Sequence, residues 1–460
     1  MNKKITNKNK LYFIMLGIIF NFLLALGAHA ANHFVRQGAT SGGNGNDWNN
    51  AYTSLPTALT RGDTYYIAAG NYPGRSFNTP VNGTALITIK KAIESDHGTD
   101  TGWSAAYGTG QSTFTSQLGF DSSYWLVDGQ TGGGPGSWGS NFGFKIREVG
   151  QTNAVIRIGN SSSEPHYTGV TVRHVEMQGI SGSGAAGGSA SNDGVAIYGS
   201  SDFTLSYAWM YGLGRCPVFG YSQGINIFEY VYVSEYSLFG SNGVHSEVAS
   251  LGQNSLGDFT WRYNLVTTVK STGGLMWNSA NHPNAHLYIY GNVFYKPTGG
   301  DWDTGNNGLI GGWTNYATNN IWVYNNSFIN VPYNPISSIS GVGTGNLVYN
   351  NIFYNSYPPN YGTVFPTHDY NDYINSGTIQ GEAHGTSATS GNPFVNIVGL
   401  DFRLNANTAA GISLLAPYST DPLGNTRGIN GVFNRGAFQF IDNTPLLMPP
   451  SLLNGKVVNF

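Results

Sequence analysis

Seven stretches of the chain can be laid over one another by their apolar positions. They start at Val170, Phe203, Ile225, Phe259, Leu287, Ile321 and Asn346, at spacings of 33, 22, 34, 28, 34 and 25 residues. The third position of each stretch is apolar: Val172, Leu205, Ile227, Trp261, Ile289, Val323 and Val348. The eighth is apolar or aromatic: Met177, Met210, Tyr232, Val266, Phe294, Phe328 and Phe353. Within a copy the pattern alternates, as in Ile321, Val323 and Asn325 with Trp322 and Tyr324 between them. A period of two is strand periodicity, whereas a helix would need apolar residues at i, i+3 and i+4. A strand-rich unit recurring at this interval buries its apolar face only by stacking on the next, so the pattern predicts a β-solenoid. The third-position residues are then expected in one interior column.

The sixth position is Asn264, Asn292, Asn326 and Asn351 in the last four copies. Identical amides in stacked parallel strands repeat about every 4.8 Å and can hydrogen-bond up the stack. Asn at a corner also tolerates left-handed backbone angles. A second alignment gives the strand before each stretch, at residues 193–198, 215–219, 242–247, 273–278 and 307–312. It turns Val195, Ile197, Val244, Ser246, Leu275 and Trp277 inward, and Tyr198, His245, Glu247, Met276 and Asn278 outward. Asp193, Arg215 and Asn242 would start the strands in one column.

Outside the best copies the pattern is weaker. A short helix is expected near 52–59, strands at 65–68, 86–93, 124–127, 142–148 and 155–158, and small-residue loops at 129–143 and 181–191. After Pro358 the repeat decays into loops, and 401–404 with 437–441 close the end. Composition supports the strand reading: Gly is 64 of 460 residues, aromatics are 14% and charged residues 10%. Gly and Asn suit tight corners, and Tyr, Phe, Trp and Val suit pleated surfaces.

With these features in view, the chain resembles the secreted bacterial right-handed parallel β-helix proteins of the pectate-lyase-like superfamily. The residues that carry the likeness are HFVRQGATSGGNGNDWNNAYTSL and RGDTYYIAAGNYPG at 33–55 and 61–74, and NPFVNIVGLDFRL and NRGAFQF at 392–404 and 434–440. The first two resemble the amino-terminal cap of such proteins and the last two their carboxy-terminal end. The resemblance implies an all-β fold: a right-handed parallel β-helix (solenoid) with an N-terminal cap. It leaves activity open, because the fold carries lyases, hydrolases, epimerases and adhesins.

Residues 1–30 read as a signal peptide. Lys3, Lys4, Lys8 and Lys10 precede an apolar run at 11–26, and Ala28-His29-Ala30 is an A-x-A cleavage site. The organisation expected is therefore 1–30 signal, 31–141 cap and first rungs, 142–440 β-helix and 441–460 tail. The protein is expected to be secreted, with no stable membrane insertion after cleavage. Losing those four lysines takes Lys+Arg from 21 to 17 against 24 Asp+Glu, a net of −7, which argues against nucleic acid as partner. Cys216 is the only cysteine, so no intrachain disulfide can form. A monomer acting on a polysaccharide is the expected state.

Charge is scarce, so charged residues on rungs are informative. His245 and Glu247, two apart on one face, with Arg215 on the next rung, make a candidate acid/base cluster. Lys270 and Arg262 are further candidates one rung above. An Arg can hold a carboxylate with two parallel hydrogen bonds. The resemblance implies that a lyase of this fold removes the proton α to a uronate carboxylate neutralised by Arg, Lys or calcium. Asp193 and Glu247 could instead pair as glycosidase carboxylates. Asp301, Asp303 and Asn306 form an oxygen-rich cluster that would suit calcium, the one cofactor suggested. Tyr198, Asn278, Trp302, Trp313 and Tyr316 could contact sugar rings, with Trp302 expected outside because aspartates flank it. The leading expectation is a polysaccharide lyase. A glycoside hydrolase and a non-catalytic, adhesive β-helix are the alternatives.

Overall fold

The computed structural model describes residues 30–40, 42–148, 150, 154–161, 165–179, 192–199, 201–220, 224–235, 246–251, 257–269, 273–280, 282–300, 302, 307–378, 381–442, 452–453 and 456–457. His245, Lys270, Asp301, Asp303, Asn306, the loop at 181–191 and most of the tail lie outside them.

The chain is a right-handed parallel β-helix. Successive rungs pair in parallel from Asn32–Val35 and Thr64–Ile67 onward. Each rung contributes to three faces. Sheet I runs from Asn32–Val35 through Trp125–Asp128, Phe259–Arg262, Leu287–Tyr290 and Ile321–Tyr324 to Thr367–Asp369. Sheet II includes Phe144–Arg147, Val293–Tyr295, Ser327–Ile329 and Asp372–Ile374. Sheet III is built from Arg75–Phe77, Leu118–Phe120, Ile156–Ile158, Val195–Ile197, Val218–Gly220, Ala249–Leu251, Leu275–Trp277 and Ile310–Gly311. Inward alternate residues fill the bore, with Trp125, Trp261 and Trp277 wholly buried.

Sheets I and II meet at a one-residue corner held at positive φ. That residue is His174, Tyr207, Tyr230, Tyr263, Gly291, Asn325, Asn350 and Tyr370 in successive rungs, with φ between 51° and 67°. Gly291 meets the requirement without a side chain; the bulky residues there are uncommon. Stacking accompanies the strain: the rings of His174, Tyr207, Tyr230 and Tyr263 follow one another at 4.7, 4.5 and 5.4 Å. The asparagines of the ladder sit one residue later, so they are not the left-handed residues. Their amides do climb the stack. Val231, Asn264, Asn292, Asn326 and Asn351 donate backbone N–H to the next rung's Asn Oδ1 at 2.7, 2.9, 3.0, 2.9 and 2.9 Å. The ladder has a fifth member, Asn371, and ends on Glu382, whose two oxygens accept from Asn371 at 2.8 and 2.9 Å.

The interior column matches the expected one except at its third member. Leu205 pairs with Phe228, not Ile227, and Phe228 pairs with Trp261. Phe228 is wholly buried, and Ile225 is 57% exposed. Both alternate sets in Asn226–Val233 contain apolar residues, so hydrophobicity alone did not choose between them. The same shift puts Val233, not Tyr232, in the eighth-position column.

Other expectations also change. Residues 52–59 form turns rather than a helix, because Pro56 disfavours helical angles at Leu55. The helix among the described residues is the single turn Ala105–Gly108. The rungs continue past Pro358 through Thr367–Asp369, Asp372–Ile374 and Thr386–Ala388. Sequence patterning missed these short strands because their outer faces are polar. The following segment folds back on sheet II, where Phe394, Phe402, Leu404 and Phe438 pack against Val293, Ile329 and Ile352. No described helix is long and apolar enough to cross a membrane.

Candidate functional site

Sheet III and the loops that enter it gather most of the candidate residues. Val195, Val218 and Ala249 are register partners, so counting back two residues puts Asp193, Cys216 and Glu247 in one column. Arg215 stands beside that column, not in it. Of the strand expected at 242–247, residues 242–245 lie outside the described residues, and the strand that pairs with Val218–Gly220 is Ala249–Leu251. The Asn242-Gly-Val run imitates Asp193-Gly-Val in sequence, but Ala249 and Leu251 are the pair that faces the bore. The correction moves Glu247 from an outward strand position to the buried strand entrance, with no exposed surface.

Asp193 is 3% exposed and fully engaged. Arg215 Nε donates to Oδ1 at 2.7 Å and Arg215 Nη2 donates to Oδ2. The Cys216 backbone N–H donates to Oδ1 at 3.2 Å. Burial pushes the Asp193 carboxyl up, and the guanidinium and the N–H oppose that rise. Burial works to lower Arg215, yet its bonds to Asp193 outweigh it and the guanidinium stays charged. Burial, with Glu247 and Asp193 nearby, holds the Cys216 thiol well above its ordinary value. The neutral thiol donates to Glu247 Oε2 at 3.6 Å.

Arg215 keeps access to solvent, with its side chain 21% exposed. Its guanidinium carbon lies 4.3 Å from the centroid of Phe219, which fixes the plane from below. Two of its three nitrogens, Nε and Nη2, bond Asp193, and Nη1 takes no part in that pair. Phe219 in turn meets Tyr198 edge-on at 6.2 Å. Two rungs below Phe219, Arg157 faces outward from sheet III and makes a two-pronged pair with Asp121 at 2.9 and 3.1 Å. Sequence reasoning missed Phe219, Arg157 and Cys216. The signal for Phe219 was the four-residue step from Arg215 along an extended chain, which brings the guanidinium back over an outward ring.

The remaining candidates separate. Tyr198 and Trp313 are half-buried and accessible, and Trp313 meets Tyr316 edge-on at 6.4 Å. Asn278 is buried, and its side-chain oxygen accepts from Ala280 N–H at 3.2 Å to close a turn. Trp302 is 6% exposed and belongs to the core, where it bridges Val269. The flanking aspartates misled: alternation puts a residue between two polar neighbours on the inner face. Arg262 lies on sheet I, bound to Glu229 and to the Tyr290 hydroxyl at 2.9 Å, away from the Arg215 site.

Asp193 and Glu247 are two rungs apart, about 10 Å by strand spacing. Both are buried, so neither offers an oxygen to a sugar as a glycosidase carboxylate does. Among the described residues no three His, Cys, Asp or Glu side chains converge as a metal site, and Asp193 already has its cation in Arg215.

No family model matches the chain, and no curated protein matches it. Among solved structures it is similar to pectate lyase Pel9A. The likeness has a TM-score of 0.53 at 14% identity, over 90% of this chain and 97% of that one. At that identity the likeness establishes the fold.

Proposed function

We propose that this protein is a secreted polysaccharide lyase that cleaves a uronic-acid-containing glycan by β-elimination. The observation that carries this reading is the Arg215 guanidinium. It is fixed by Asp193 through Nε and Nη2 and by Phe219, its side chain is 21% exposed, and Nη1 takes no part in the Asp193 pair. A guanidinium held in this way suits a carboxylate ligand, and little of its orientation remains to be lost on binding. The fold of a solved pectate lyase supports the same substrate class by analogy.

In the reaction a base takes the proton on the carbon next to the carboxylate. The released electron pair forms a ring double bond as the glycosidic C–O bond on the next carbon breaks. The leaving oxygen gains a proton and becomes part of a new chain end. Arg215 would stabilise charge building on the carboxylate. The sequence offers His245 and Lys270 as the base. Glu247 and Cys216 would position the strand entrance and do not touch the glycan.

The test uses Arg215→Lys, because Arg215→Ala would leave the buried Asp193 charge uncompensated and threaten the fold. Lysine keeps a cation against Asp193 but has no second edge for substrate. Turnover of uronate glycan should fall by about 10²-fold, the scale of losing one preorganised charge donor. Wild-type turnover in a folded Arg215→Lys protein would remove Arg215 from the chemistry.

A further inference from the structure

Three of the described Phe, Tyr and Trp side chains are exposed: Tyr316 at 49%, Tyr333 at 47% and Tyr357 at 56%. All three belong to loops that enter or leave the last rungs of sheet III. The Cys216–Glu247 column continues through Gly273 and Gly308 to Asn334. Hydrogen bonds follow that path, with Gly274 N–H donating to Gly308 O at 3.2 Å and Leu309 N–H to Asn334 O at 2.9 Å. Asn334 is therefore on the same edge of sheet III as Arg215, four rungs further on, or about 19 Å.

A cavity of about 560 Å³ opens at that point, lined by Asn334, Tyr357, Asn360, Tyr361 and His368, among others. No Asp, Glu, Lys or Arg lines it. Its floor is rigid. Tyr361 stacks on His368 at 3.9 Å, and its hydroxyl lies 2.9 Å from that of Tyr373, which donates to Glu382 at 2.6 Å. His368 Nδ1 is 2.8 Å from the Phe365 carbonyl oxygen, which fixes the ring's orientation. The Asn360 side-chain oxygen accepts from Ser338 at 3.2 Å, which orients its amide.

We infer that this cavity is a distal subsite for uncharged sugar residues of the same glycan whose uronate unit meets Arg215. The inference rests on the proposed function. Tyr357, the exposed tyrosine in the lining, gives a flat apolar face with a polar rim, which matches the mixed faces of a sugar ring. Asn amides supply neutral donors and acceptors. Without a Lys or Arg in the lining, a second carboxylate has no permanently charged partner there. The substrate class that fits is a chain several sugar rings long, acidic at one end of the groove and neutral at the other.

The experiment compares KM for a long glycan with KM for a short oligomer of the same polymer, in wild type and Tyr357→Ala. Tyr357 is 56% exposed, so the variant should fold. Wild type should favour the long chain, and the variant should shrink that preference about fivefold, a shift within reach of one aromatic contact. An unchanged length preference in the variant overturns the subsite while leaving the proposed function standing. If wild type neither binds nor cleaves any uronate glycan, the proposed function falls and takes the subsite with it.

Discussion

Asn326 shows how much one residue carries in this fold. Its side-chain oxygen accepts from the Asn292 backbone and amide at 3.0 and 2.9 Å, and its amide donates to Ile289 O at 2.9 Å and to Asn351 Oδ1 at 3.0 Å. All of these groups are buried, so Asn326→Ala takes the side-chain acceptor from the Asn292 N–H and the side-chain donor from Ile289 O, while the Asn326 N–H still reaches Asn351 Oδ1. Each buried orphan costs about 1–3 kcal/mol. Denaturant melts should show roughly 3 kcal/mol of destabilisation, and a change near zero would contradict the ladder. The ladder was legible because four asparagines recur in register. Its fifth member was not, because Asn371 follows a polar strand, Thr367–Asp369, that carries no apolar signature. At the candidate site, His245 and Glu247 looked equivalent in sequence; His245 lies outside the described residues, and the register buries Glu247.

At the scale of the strand, the lesson lies in Asn226–Val233. The sequence NIFEYVYV has apolar or aromatic residues on both alternations, so a one-residue slip exchanges the two faces with little cost in hydrophobicity. The rungs on either side decide the matter, since Phe203 pairs with Asn226 below and Phe259 with Asn226 above. The consequence can be measured. Phe228→Asp should unfold the protein or cost at least about 4 kcal/mol, because it buries an unpaired charge in the bore. Ile227→Asp, on the half-exposed face, should cost less than about 1.5 kcal/mol. The reverse order of the two losses would restore the register expected from sequence. The same ambiguity explains the register misassigned at 242–247. Its Gly-Val start copied a true rung in sequence, whereas the strand in register with Val218–Gly220 is the less conspicuous Ala249–Leu251.

On the scale of the whole molecule, the solenoid sets distances that the sequence expresses only as repeat lengths. Repeats of 22 to 34 residues all advance the chain by one rung, about 4.8 Å, because loops absorb the difference. Fold class was therefore readable from periodicity, whereas the site was not. Arg215 reaches Asp193, Phe219 and the edge of sheet III only once the 23-residue offset between Val195 and Val218 is known. The carboxy-terminal segment packs on sheet II, and sheet III keeps an accessible outer face near Arg215. That geometry makes a glycan laid along sheet III the central claim. The most direct measurement incubates purified mature protein with uronic-acid and neutral glycans and follows both ultraviolet absorbance and new reducing ends. β-Elimination predicts that absorbance from an unsaturated sugar rises in step with reducing ends on a uronate polymer. Reducing ends without that absorbance would mean hydrolysis, and binding without either would mean a non-catalytic β-helix; each result would contradict the account.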